Sequence, residues 1–322
     1  MVTVQQNGQE IEPEFRARVN SIYDSWQSGE LPFSEAYKQL EVMKYEAASA
    51  GHLANQGGVE MILGIMQGYR AKLNESIRHF ELARGFFEQA GNQERMTICM
   101  LNIGETYRLR GNFTRARHFF RAAYESAVSM ENIRTQVTAL ANEGQMLLSM
   151  GLLSDAYDTL KKALELGRNV VPENDREANQ LLDTQCEIHY ALAVILLRLN
   201  EPETAWKHAR KSLLIAEDLG VPLRMGYANR ALGEVITALG QAPEEAFSSD
   251  PDTYFHASAQ AFRGIRADGE LAKTMYAHGR SLAHRQKRNA AARKLKEAMV
   301  LFTRLGMTDD AAKAAEAQLE VL

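Results

Sequence analysis

The stretch Ile103–Ala123, "IGETYRLRGNFTRARHFFRAA", decides the fold. Two small residues, Gly104 and Ala116, stand in it among aromatics and arginines. Glycine is a poor helix former, so its place in an otherwise helical run asks for a packing reason. Close crossing of two paired helices supplies one, with Tyr107 and Phe120 expected to fill the gaps between neighbouring pairs.

The arrangement recurs on both sides, in "LGIMQGYRAKLNESIRHFELA" (Leu63–Ala83) and "EGQMLLSMGLLSDAYDTLKKA" (Glu143–Ala163). Gly64, Gly104 and Gly144 repeat every forty residues, as do Leu40, Phe80, Phe120 and Leu160, and Ala83, Ala123 and Ala163. Later copies keep the template with looser spacing: Ala193 with Ala205, Ala209 and Ser212; Leu232-Gly233 with Gly240 at the turn; Gly279 with Ala291, Leu295 and Ala298. A second landmark is independent of the first. Eleven residues after Leu40, Phe80, Ala209 and Leu295 come Gly51, Gly91, Gly220 and Gly306, each placed as a left-handed cap past an apolar helix end.

A repeat of this length and composition resembles the tetratricopeptide repeat, a two-helix unit. Ile103-Gly104, Tyr107, Gly111, Ala116, Phe120 and Ala123 fill its places. The forty-residue spacing is similar to the repeats of Pins-type spindle adaptors, kinesin light chains and MalT-type bacterial regulators. Departures are Gln67 and Leu147 where Tyr107 stands, and two extra residues near "GELPF" in the first repeat. The resemblance covers about residues 15–305. It implies an all-α, right-handed superhelical solenoid of about seven helix pairs with a C-terminal capping helix. The pairs are expected at about 15–54, 57–96, 97–136, 137–171, 180–224, 225–271 and 272–306. Residues 1–14 are expected to be a flexible N-terminus, and 307–322 the cap, with Thr308 as its N-cap and Asp309 and Asp310 in the first turn. "VVPENDRE" (Val170–Glu177) reads as a connector and "GQAPEEAFSSDPD" (Gly240–Asp252) as a loop inside the sixth pair.

Composition narrows the function. Of 322 residues, 45% are hydrophobic and 24% charged, and the formal charge of -4 gives no general attraction for nucleic acid. Cys99 and Cys186 lie in apolar helical contexts and read as buried. The opening "MVTVQQNGQEIEPE" lacks the pattern of a secretory signal. The longest apolar run, "ALAVILL" (Ala191–Leu197), falls well short of the roughly 20 residues a membrane span needs. A soluble cytoplasmic protein is expected. Phosphate-loop, dinucleotide and nucleophile-elbow motifs are missing. "NQGG" (Asn55–Gly58) reads as a turn before a helix, "EIHY" (Glu187–Tyr190) lacks the zinc-helix spacing, and His278 and His284 fall on different helix faces. No catalysis, cofactor or metal is expected.

The resemblance also implies where a ligand sits: along the first helix of each pair, in a concave groove. The matching positions are Asn102, Glu105 and Arg108, then Asn142 and Gln145, then Tyr190, Arg230 and Glu234, and last Tyr276 and Arg280. An asparagine amide can both donate to and accept from a peptide bond, which suits Asn102 and Asn142 to hold a ligand backbone. A basic patch of Arg285, Lys287, Arg288, Arg293, Lys294 and Lys296 follows, with Glu297 the only acid between Lys273 and Arg304. It reads first as a solvated face and second as a dock for an acidic partner. The expected function is a non-enzymatic adaptor binding a peptide or helical segment of another protein, as a monomer or weak dimer. The alternative is a ligand- or peptide-responsive regulatory module.

Overall fold

Phe113–Ser129 shows how this sequence makes a helix. Its buried residues, Ala116, Phe120, Ala123 and Ala127, recur at steps of four, three and four, while Arg115, Arg117, His118 and Arg121 face water. Asn112 caps the start by accepting the Arg115 backbone N–H. The same cap opens the helices on either side, at Asn92 and Asn132.

The computed structural model describes residues 10–28, 30–70 and 72–322, and among them it has fifteen α-helices and no strand. The chain divides into two compact units, residues 1–150 and 151–322. The first holds α1 (Pro13–Ser28), α2 (Phe33–Ser49), α3 (Leu53–Tyr69), α4 (Leu73–Ala90), α5 (Gln93–Leu109), α6 (Phe113–Ser129) and α7 (Ile133–Ser149). The second holds α8 (Leu153–Gly167), α9 (Asp175–Arg198), α10 (Pro202–Leu219), α11 (Pro222–Leu239), α12 (Pro251–Gly264), α13 (Asp268–His284), α14 (Arg288–Arg304) and α15 (Thr308–Val321). Within each unit a helix packs chiefly on its chain neighbours, and first helices of successive pairs also touch: α1 on α3, α5 on α7, α9 on α11 and α11 on α13. This nearest-neighbour packing is that of a helical-pair solenoid, with α15 as the closing helix.

The repeat glycines are packing residues. A Cβ on Gly104 would stand 2.6 Å from the Phe120 ring, and one on Gly64 2.7 Å from Phe80. The second unit repeats this with Gly233 under Phe255 and Gly279 under Leu295. Phe120 therefore seats inside its own pair, and so does Tyr107, whose ring stacks on Phe119 at 5.8 Å and whose hydroxyl accepts from Arg115. The expectation that these rings bridge neighbouring pairs is corrected: a glycine on the facing helix opens the nearer space.

Gly51, Gly91, Gly220 and Gly306 all have φ between 63° and 72°, as expected of left-handed caps. Glu131, Asn200, Arg266 and Gln286 do the same without glycine, at φ 55–62°. For residues other than glycine and asparagine that conformation costs about 1–2 kcal/mol.

Three further expectations are corrected. "NQGG" lies inside α3, where a Cβ on Gly57 would meet the Phe87 ring at 2.9 Å and one on Gly58 would meet Ile11 at 2.8 Å. Glycines that look like turn formers here admit bulky neighbours. Thr308 is the first residue of α15 and Met307 takes the N-cap position, with no side-chain bond to the helix. Residues 1–9 of the expected flexible N-terminus lie outside the described residues, but Ile11 is buried and α1 starts at Pro13. The apolar socket in front of Gly58 holds Ile11.

Candidate functional site

In the first unit the candidate residues lie on α5 and α7. Asn102 and Asn142 are half-buried, one repeat apart, and among the described residues neither side-chain amide has a hydrogen-bond partner. Gln145 is half-buried likewise. Glu105 and Arg108 form a two-pronged ion pair at 2.6 and 2.7 Å, and Arg108 also donates to Ser149 Oγ on α7 at 3.1 Å. In the first turns of the same two helices Arg134 of α7 reaches Glu94 of α5 at 3.3 Å. The surface thus presents two open amides within a frame of fixed charges. Such amides can bond both the N–H and the C=O of a ligand backbone.

The same template places in the second unit are filled differently. Arg230, on α11, is only 8% exposed; it donates to the Tyr190 hydroxyl on α9 at 3.1 Å and to Glu270 on α13 at 2.8 Å. Its guanidinium lies 5.3 Å from the Tyr227 ring centre and 5.7 Å from that of Phe262. Burial works against ionisation of Glu270, but Arg230 and Lys273 outweigh it and hold the carboxyl below the ordinary glutamate range. Glu234 sits near Arg230 and Arg198, yet burial prevails and raises its pKa. One turn and a half earlier, Arg224 forks onto Asp183 at 2.7 and 2.8 Å and also pairs with Glu187. The expectation that Arg230 is an open groove side chain is therefore corrected: its donors are taken up inside the protein.

Glu270 was missed because the template assigns Tyr276 to that place in the seventh pair. The loop between α11 and α12 shifts the register, so the residue meeting Arg230 lies six positions earlier, in the first turn of α13. A usable signal existed: Tyr190, Arg230 and Glu270 are spaced by forty, as are Glu94 and Arg134. Tyr276 is half-buried against the apolar cluster of Phe262, Phe302 and Ala314. Arg280 is exposed and approaches Glu320 of α15 at 3.8 Å.

The basic patch is partly neutralised from elsewhere in the chain. Asp250 and Asp252, at the start of α12, pair with Arg285, and Asp252 also takes Lys287 and His278. Burial opposes ionisation of Asp252, but Arg285 and His278 hold its pKa down to about 2. Lys294 pairs with Glu297, and Arg288 donates to the Val321 carbonyl. Arg293 and Lys296 stay exposed, with no ion pair among the described residues.

Both cysteines are buried, as expected, and burial pushes the Cys99 thiol up to about 12. Among the described residues no three His, Cys, Asp or Glu side chains converge as a metal site, and no helix is long and apolar enough to cross a membrane. A surface depression of about 500 Å³ between α1 and α2, lined by Arg18, Glu35, Lys38 and Gln39 among others, involves none of the candidate residues.

No protein-family model matches the chain, and no curated protein matches it in sequence. Solved structures match its fold. The chain is similar to a Rap protein complexed with Competence and Sporulation Factor, at 15% identity over 96% of this chain and 84% of that one, with a TM-score of 0.63. It is similar to the apo form of the quorum sensor NprR from B. thuringiensis, at 11% identity, 96% and 86% coverage, and TM-score 0.58. A third similar structure is the STAND protein with a tetratricopeptide repeat sensor from Pyrococcus horikoshii, at 12% identity, with 97% of this chain and 53% of that one covered and a TM-score of 0.52. At such identities the likeness establishes the fold: an all-helical solenoid of the tetratricopeptide type.

Proposed function

We propose that this protein is a cytoplasmic, non-enzymatic binding protein that holds a peptide segment of another protein against the first helices of its first unit. The observation that carries the reading is the pair of half-buried amides at Asn102 and Asn142, one repeat apart and without side-chain partners among the described residues. A rigid row of helices presents them without ordering cost, which favours binding by modest contacts; micromolar affinity corresponds to about -8 kcal/mol. The similar structures favour a peptide-responsive variant of this reading, since one is a complex with Competence and Sporulation Factor and another is a quorum sensor. An acidic partner at Arg293 and Lys296 is a secondary contact under the same proposal.

The test is selection of a displayed random-peptide library on the full chain, repeated with Asn102→Ala/Asn142→Ala. Peptides enriched by the native chain should lose at least tenfold in affinity on the double variant while circular dichroism and melting stay unchanged. Equal enrichment on both chains would remove the two amides from the site.

A further inference from the structure

Residues 10–12 of this chain are held as a bound peptide would be. They precede α1 and are not helical. The backbone N–H of Glu12 donates to Asn55 Oδ1 at 3.0 Å, and Asn55 Nδ2 donates back to the Glu12 carboxylate at 2.8 Å. Asn92 Nδ2 donates to the Glu10 carboxylate at 3.0 Å while Asn92 Oδ1 caps α5. Between these two clasps the Ile11 side chain enters the core, 6% exposed, at the place where Gly58 leaves room for it. Arg16 and His52 stand 3.6 and 3.8 Å from Glu10 and Glu12 respectively.

The receiving surface has the features of a peptide site. Asn55 is 2% exposed and uses both ends of its amide on the segment, one on backbone and one on side chain. Positions 55, 58 and 62 share one face of α3 by helical spacing, and 62 is the repeat equivalent of Asn102 and Asn142. The segment thus lies on the extension of the candidate row toward the start of α3. Without it, a buried amide would lose its partners and the socket before Gly58 would open to water, an arrangement that seeks an occupant.

We propose that Asn55, Gly58 and Asn92 form a peptide subsite that the chain's own Glu10-Ile11-Glu12 occupies at rest. Its outside ligand is an extended segment of a partner protein with a branched aliphatic residue between two acidic ones. The tethered segment competes at an effective concentration on the order of millimolar, so it sets a threshold that a partner must exceed. This subsite stands on its own contacts, apart from Asn102 and Asn142.

The probe is a fluorescein-labelled peptide of residues 5–14, "QQNGQEIEPE". Ile11→Asp in the full chain empties the socket. Anisotropy should then show the peptide binding this variant at least tenfold more tightly than the native chain, with Asn55→Ala added to it abolishing the gain. Equal binding by native and Ile11→Asp chains, or a gain that survives Asn55→Ala, overturns the proposal. A measurement on the native chain guards against a folding defect. Unlabelled peptide at about 10 mM should speed hydrogen exchange of the Glu12 amide severalfold, and unchanged exchange there also overturns it.

Discussion

The first-helix rows of the two units follow one template and spend their polar groups in opposite ways. In the first unit Asn102 and Asn142 have no side-chain partner among the described residues, while Glu105 and Arg108 pair along α5 and Arg108 reaches Ser149 on α7. In the second, Tyr190, Arg230 and Glu270 join three successive first helices, and Arg224 fastens onto Asp183 and Glu187. A backbone solution shared by both rows leaves the choice between recognition and cohesion to a few side chains. Fold likeness alone therefore says little about which part of such a solenoid receives a ligand.

The largest expected effect separates the rows directly. Arg230→Ala should cost the second unit about 3 kcal/mol, because it leaves the half-buried Glu270 carboxylate with Lys273 alone and removes the donor to the Tyr190 hydroxyl. Asn102→Ala/Asn142→Ala should change stability by less than about 0.5 kcal/mol. The two tryptophans make this measurable, since Trp26 reports on the first unit and Trp206 on the second in urea titrations of Trp26→Phe and Trp206→Phe backgrounds. Similar losses from both changes would erase the contrast.

A smaller effect tests what the rows share. Gly104→Ala pushes a methyl into the Phe120 ring and should lose about 2 kcal/mol, and Gly233→Ala beneath Phe255 should lose about as much. Gly85→Ala, within α4 with nothing inside 4 Å of the new carbon, should gain about 1 kcal/mol. Thermal melts of the three variants decide whether both units rest on the same glycine–aromatic fit.

The smallest effect sharpens the picture of the second unit. His189 of α9 and His208 of α10 face each other with Nδ1 atoms 2.9 Å apart. Burial, then His208 and Lys211, pull the His189 pKa down to about 4, and burial lowers that of His208. An unfolded histidine takes up its proton near 6.5, so between there and about 4 the unfolded chain binds more protons. The pair's contribution is complete above pH 6.5 and drains as the pH falls toward 4. After allowance for solvent screening the loss is on the order of 1 kcal/mol. His189→Asn/His208→Asn should flatten the pH dependence of the Trp206 midpoint in that window.

Much of the fold was legible in the sequence because its landmarks are steric. Gly104 must be small for Phe120 to fit, and Gly91 must be glycine-like to turn left-handed after α4, so both show in the residue types themselves. Cysteine burial was readable for the same reason. The left-handed turns at Glu131, Arg266 and Gln286 were invisible, since nothing in those residue types announces the conformation that packing imposes. The candidate site was less legible. Whether an Arg is available or spent depends on what lies across the helix, and Glu270 arrives beside Arg230 only through a register shift. Asn55 and Gly58 resembled a turn because their reason for being there, Ile11, is over forty residues away.

The asparagine caps at 92, 112 and 132 have an evolutionary consequence. Each follows a left-handed residue, Gly91, Gly111 or Glu131, so the joints before α5, α6 and α7 are chemically alike. Excising 92–131, or duplicating it, would rejoin the chain at a junction with the same turn and the same cap. A gene encoding such joints can lengthen or shorten by whole hairpins through unequal recombination, and the array that results keeps every helix properly begun.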